Sequence, residues 1–156
     1  MTAISSNFRI RGTTDGSPVQ YRKFDVKAGS AGSIPLGSLV IQDAGNAGYV
    51  KFAPDGTNSD SIWIGIASTT STDTASADGV VEVAYSIAGL VVEGTATTPG
   101  NLAQALELTR VTLDVTSTTQ TIDENDTTKG VMQILPDLWN ATTGRLQVVI
   151  PGFNAY

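Results

Sequence analysis

Apolar and polar residues alternate along most of this chain, in short runs that stop at glycine. In GVVEVAYS, residues 79–86, Val81, Val83 and Tyr85 fall on one side of an extended backbone, and Val80, Glu82 and Ala84 on the other. Glu82 marks the wetter side. Comparable runs predict strands over residues 7–11, 19–26, 38–43, 48–53, 62–67, 79–86, 88–93, 106–115, 130–135 and 145–150. The pairs Asp15-Gly16, Asp55-Gly56 and Asp78-Gly79 predict tight turns between them, because glycine accepts positive φ.

Two stretches break the regular pattern. In LELTRVTLDV, residues 106–115, Leu106 and Leu108 share a face, whereas Val111, Leu113 and Val115 continue with the opposite parity. That slip predicts a bulge or bend near Thr109 and Arg110. TPGNLAQALEL, residues 98–108, has Thr98 as N-cap and Pro99 at the first helical position, with Leu102, Ala105 and Leu106 at helical spacing. The expected fold is therefore all-β. It is an antiparallel β-sandwich or small barrel of short strands, with an extended N-terminal arm and at most one short helix. Residues 1–17 read as the arm and residues 18–156 as a single β-rich domain.

Charge sets the arm apart. Residues 1–27 hold five cations (Arg9, Arg11, Arg22, Lys23, Lys27) against two acids (Asp15, Asp25), in a chain whose net charge is -6. The remainder holds four cations against thirteen acids. A basic end on an acidic body predicts docking on something acidic, or folding of the arm back onto its own body. Nucleic acid is not the expected partner, since the acidic body would be repelled. No apolar run is long enough for a membrane span, and MTAISSNFRIRG lacks the apolar core of a secretory signal. With no cysteine, folding in a reducing cytosol is expected.

Candidate chemistry is sparse. The chain has neither histidine nor cysteine, which removes Ser–His and Cys–His catalysis and ordinary zinc sites. Of four glutamates, Glu82, Glu93 and Glu107 alternate with apolar residues on predicted strands, as outward solubilising residues do. A carboxylate-pair hydrolase is disfavoured on that ground. IDENDTTKG, residues 122–130, is the densest acidic cluster, and Asp123 and Asp126 are its weak metal candidates. Thr128 stands where a calcium loop needs glycine, and Ile134 where it needs the bidentate glutamate, so no metal and no cofactor is expected. Asn125-Asp126-Thr127 and Asn140-Ala141-Thr142 fit the glycosylation pattern and read as chance in a Thr-rich chain.

Aromatic residues supply the remaining contact candidates. Trp63 alternates with Ile62 and Ile64 and reads as core. Trp139 reads as a residue of a hairpin loop, either covering a core edge or awaiting a partner. Phe153 and Tyr156 follow the last strand and are expected to dock on a subunit. Arg22 and Lys23 join them as expected subunit or partner contacts.

The run KAGSAGSIPLGSLVIQD (27–43), followed by GYVKFAP, IGIAS and ADGVVEVAYSIAGLVVEG (77–94), resembles the decoration or cement proteins of tailed bacteriophage capsids. The stretch from Thr112 to Asn154 is similar to the same kind of virion protein. The resemblance implies a β-rich protein bound outside an expanded capsid, often as a homotrimer, with the major capsid protein as partner and no catalytic residues. It also implies an extended N-terminal segment that pairs with the shell. On that reading Phe8, Arg9, Ile10 and Arg11 form the capsid-binding arm, and their alternation suits addition to an exposed sheet edge. The competing expectation is a phage fibre or adhesin-type module that recognises glycan, with Trp139 as its loop aromatic.

Overall fold

A computed structural model describes residues 7–58 and 61–150. Eleven strands form two closed or nearly closed units. The first is a barrel of β2 (Gln20–Val26), β3 (Leu39–Gln42), β4 (Tyr49–Phe52), β5 (Trp63–Ala67) and β6 (Gly79–Tyr85), in the order β2-β4-β3-β5-β6. The second is a six-stranded antiparallel sheet of β1 (Arg9–Thr13), β7 (Leu90–Thr95), β8 (Arg110–Thr116), β9 (Thr119–Asp123), β10 (Met132–Trp139) and β11 (Arg145–Ile150), in the order β1-β7-β11-β10-β8-β9. The all-β expectation holds. Among the described residues, the one parallel strand pairing is β2 with β4, and it is short: Asp25 with Tyr49 and Val26 with Val50.

The sheet curls until its far edge meets its near edge. Ile122 of β9 bridges to Ala96 beyond β7, and Thr97 N donates to Ile122 O at 2.8 Å. Asn7 completes the seam from the other side. Its Oδ1 accepts from Gln120 N (3.0 Å), and its Nδ2 donates to Thr118 O (2.9 Å).

Alternation explains the ordinary strands. Leu90 and Val92 of β7 and Leu146, Val148 and Ile150 of β11 point into the sheet's core, while their neighbours face out. β5 has no outward face at all. Ile64 and Ala67 fill the barrel with Val26, Ile34, Val40, Val50, Val81 and Val83, whereas Trp63 and Ile66 pack with Leu39 and Ile41 against the sheet. A register shift between Val40 and Ile41 accounts for the change of parity along β5.

One polar side chain joins the two units. Gln120 of β9 is 1% exposed. Its Oε1 accepts from Leu39 N (2.7 Å), and its Nε2 donates to Leu39 O (3.2 Å) and Ala53 O (3.1 Å). A buried amide that finds three backbone partners is stabilising; the same group unpaired would cost free energy.

Four expectations are corrected. The segment at 98–108 is not a helix but two 3-10 turns, Pro99–Asn101 and Gln104–Leu106, separated by an extended Ala103. The predicted strand 106–115 begins only at Arg110, because Leu108 turns into left-handed backbone (φ 67) and resets the parity there. Gly79 opens β6 and has no positive φ, whereas Gly16 (φ 77) and Gly56 (φ 75) do form left-handed turn positions.

The fourth correction concerns the arm. Phe8 is 2% exposed and lies inside the protein's own core. Its ring passes so close to Gly94 that a Cβ there would sit 2.8 Å from Phe8 Cε1. β1 pairs antiparallel with β7, from Arg9 opposite Glu93 to Thr13 opposite Leu90, with a bulge between Ile10 and Gly12. Residues 9–13 thus add to a sheet edge of their own chain, where β7 pairs with one edge of their backbone and the core takes Phe8. They form a strand built into the protein's own sheet, not a free arm. Residues 1–6 of the expected arm lie outside the described residues.

Candidate interaction surface

β1 and β11 flank β7, and the pairing brings three arginines to one carboxylate on the outer face. Arg11 Nη2 lies 2.8 Å from Glu93 Oε2, and Arg145 Nη1 lies 3.1 Å from Glu93 Oε1. Arg9 is the direct cross-strand neighbour of Glu93. The Glu93 side chain is 14% exposed, those of Arg11 and Arg145 40% and 52%. Burial by itself raises the Glu93 pKa. The hydrogen bond from Arg11 and the charges of Arg11, Arg145 and Arg9 outweigh it and hold the carboxyl below its ordinary range. Exposed ion pairs of this kind contribute little stability. Their effect is positional: three guanidinium groups share one negative charge, leaving a fixed basic patch on an acidic protein.

The other expected cations lie on β2 and just past its end. Lys27 is engaged, with its Nζ 3.7 Å from Asp78 Oδ2 and 5.2 Å from the Tyr49 ring centre. Asp78 also accepts from Ala28 N (2.8 Å) and Tyr49 OH (2.7 Å). Those hydrogen bonds, Ala28 first, lower the Asp78 pKa, and the bond to Asp78 raises that of Tyr49. Arg22 and Lys23 are exposed and make no ion pair among the described residues. The Arg22 guanidinium lies 5.7 Å from the centre of the Phe24 ring. Lys23 stands opposite Glu82, whose carboxylate accepts from Ser68 Oγ at 2.9 Å.

Trp139 is not in a loop. It ends β10 opposite Leu146, is half-buried against the core, and donates Nε1–H to Glu107 Oε2 at 2.8 Å. The same oxygen accepts from Asp137 N at 2.8 Å. These bonds, the Asp137 one first, lower the Glu107 pKa. Phe153 and Tyr156 lie outside the described residues.

The acidic cluster divides. Asp123 and Asp126 line a cleft of about 270 Å³ with Asp55, Asp114 and Lys129. Burial, then the neighbouring acids Glu124, Asp126 and Asp114, raise the Asp123 pKa against a backbone hydrogen bond from Asn125. Asp126 Oδ1 accepts from Thr128 N and Oγ1, which lowers its own pKa. Glu124 turns inward to accept from Thr98 N (2.9 Å), anchoring the first 3-10 turn. Among the described residues, no group of three or more acidic side chains is placed to hold a metal ion.

Two groups escaped the sequence reading. Arg145 joins the Glu93 cluster only through the β7–β11 pairing, which brings together residues 52 positions apart. Asp73 is 1% exposed; its Oδ1 accepts from Ser33 N and Ser71 Oγ, and its Oδ2 has no partner. It ties the loop before β3 to the loop before β6, and its place in a Ser/Thr-rich stretch gave no sign of burial.

No described helix is long and apolar enough to cross a membrane. Compared with family models, with curated proteins and with solved structures, the chain matches none.

Proposed function

We propose that this protein is a structural component of a bacteriophage virion that binds the outer surface of the capsid and stabilises the shell. In this reading it folds in the host cytoplasm, forms a homotrimer and takes the major capsid protein as its partner. The resemblance of residues 27–43, 77–94 and 112–154 to decoration proteins supports it. The structural observation that carries it is the arginine group around Glu93. Arg9 and Arg11 belong to a strand of the protein's own sheet, which fixes them beside Arg145 as a preformed basic patch. A preformed patch loses little conformational entropy on docking, whereas a free arm would lose about 1–2 kcal/mol per ordered residue. Three copies in a trimer would multiply a weak contact by avidity.

The test is binding to purified capsids that lack the protein, followed by co-sedimentation and by imaging of the particles. Wild type is expected to occupy defined surface sites and to dissociate as salt rises. Arg9→Gln combined with Arg145→Gln is expected to fold normally and to leave the shell bare. Failure of the wild type to bind any expanded capsid would overturn the proposal, as would full occupancy by the double variant.

A further inference from the structure

The barrel closes unevenly. On one side β2 pairs with β6 along its whole length, from Gln20 opposite Tyr85 to Val26 opposite Gly79. On the other side β4 pairs only with Asp25 and Val26. β4 can offer no more, because it starts at Tyr49, where the chain leaves a tight turn closed by Tyr49 N to Asn46 O at 3.1 Å. Residues 20–24 therefore form a strand with one paired edge and one edge that no described strand covers. Gln20, Tyr21, Arg22 and Lys23 are exposed, Tyr21 at 58%.

We propose that this open half of β2 is a docking edge for an extended acidic segment of a partner protein. The segment pairs backbone to backbone with residues 20–24 and sets its carboxylates against Arg22 and Lys23. An uncovered strand edge is a template for strand addition, and side chains on the two faces select the partner. Arg22 and Phe24 lie on one face of β2, Tyr21 and Lys23 on the other. One face carries Arg22 beside Phe24, whose ring is partly buried against the barrel core, and the other carries Lys23 and the exposed Tyr21; neither cation is ion-paired among the described residues, although Lys23 stands opposite Glu82. The matching segment has two consecutive acidic residues, one for each face, flanked by apolar residues.

The same charges exclude a second copy of this chain. Antiparallel pairing of two copies about the centre of residues 20–24 would set Arg22 against Arg22 of the second copy, and like charges directly opposite are destabilising. A basic edge on a chain of net charge -6 selects an acidic foreign strand. The inference does not depend on the capsid reading. It applies to any partner that offers such a strand, and it concerns the barrel, whereas the arginine patch lies on the curled sheet.

The experiment uses the full-length protein and a blocked peptide of about eight residues, with two central glutamates flanked by valine and threonine. Titration at low salt, followed by calorimetry, is expected to show saturable binding. Arg22→Gln with Lys23→Gln is expected to weaken it by roughly ten-fold or more while leaving the thermal midpoint unchanged. Should the double variant lose its native circular dichroism, Lys23→Gln alone serves the same purpose at an exposed position. Hydrogen exchange read by mass spectrometry supplies the second readout. Saturating peptide is expected to slow exchange in the segment covering residues 20–24 by about ten-fold or more, because strand addition engages its outward amides. Three results would overturn the proposal: no saturable binding, binding that leaves exchange at 20–24 unchanged, or equal binding of a peptide with two central lysines. Protection of residues 20–24 that grows with protein concentration alone would assign the edge to a second copy and overturn it too.

Discussion

Replacing Phe8 by alanine separates a strand built into the body from an arm kept for a partner. Phe8 is 2% exposed, packs within the larger core, and lies against Gly94. Truncating a buried phenylalanine removes its transfer free energy and leaves a cavity, for a cost of about 3–5 kcal/mol. For a chain of this size each kcal/mol moves the thermal midpoint by roughly 2–4 °C. Phe8→Ala is therefore expected to lower the midpoint of the isolated protein by roughly 6–20 °C. Arg9→Ala, one residue away and exposed, is expected to stay within about 0.5 kcal/mol of wild type. Circular dichroism melts and urea titration of the purified protein measure both. Gly94→Ala provides a cross-check from the other side, since its methyl would sit 2.8 Å from Phe8 Cε1 and 2.9 Å from Ile122 Cδ1. Overpacking of this kind costs about 1–3 kcal/mol, and combining it with Phe8→Leu is expected to cost less than the sum of the two changes. An isolated Phe8→Ala protein that melts like wild type, yet fails to bind its partner, would refute the placement of β1 in its own sheet.

Two further outcomes follow from the side chains that seal the fold. Gln120→Leu is expected to leave Leu39 N–H and Ala53 O buried and unpaired, at about 1–3 kcal/mol each; a chemical denaturation midpoint within error of wild type would contradict this. Glu107 is a group whose pKa is depressed in the fold, so its contribution is present above the unfolded pKa and is lost as pH falls through the folded one. Trp139 fluorescence is expected to change in that acidic window as the indole N–H loses its carboxylate, and Glu107→Gln is expected to abolish the step.

Much of the architecture could be read from period-two patterning, and the failures have identifiable causes. β7 and β11 show clean alternation, because one face of each meets a core and the other is partly open, whereas β6 loses it after Val83, where Ala84 is buried on the face expected to be wet. β5 appears in the sequence as an unbroken apolar run, and the structure explains it by burying both faces. β9 was missed because the residues that face inward are Gln120 and Ile122, and a buried glutamine looks like a loop residue until its backbone partners are known. The basic character of residues 1–27 was legible, but its destination was not. Pairing of β1 with β7 joins residues about 80 positions apart, and nothing local in FRIR distinguishes its own sheet from a foreign one. The cation cluster was half visible for the same reason: Arg9 and Arg11 stand together in sequence, while Arg145 and Glu93 reach them only through strand order.

The position of β1 bears on the order in which a nascent chain can fold. Every strand of the barrel lies between Gln20 and Tyr85, so that unit has all its parts before β7 has been translated. β1 leaves the ribosome before the barrel strands but must wait for β7, and Asn7 must wait longer still for Gln120. At roughly 5–20 residues per second, that is a delay on the order of ten seconds with Phe8 unsheltered. A segment made before the barrel is thus locked after it, and a chain interrupted near residue 85 would carry a finished barrel preceded by an unsheltered strand.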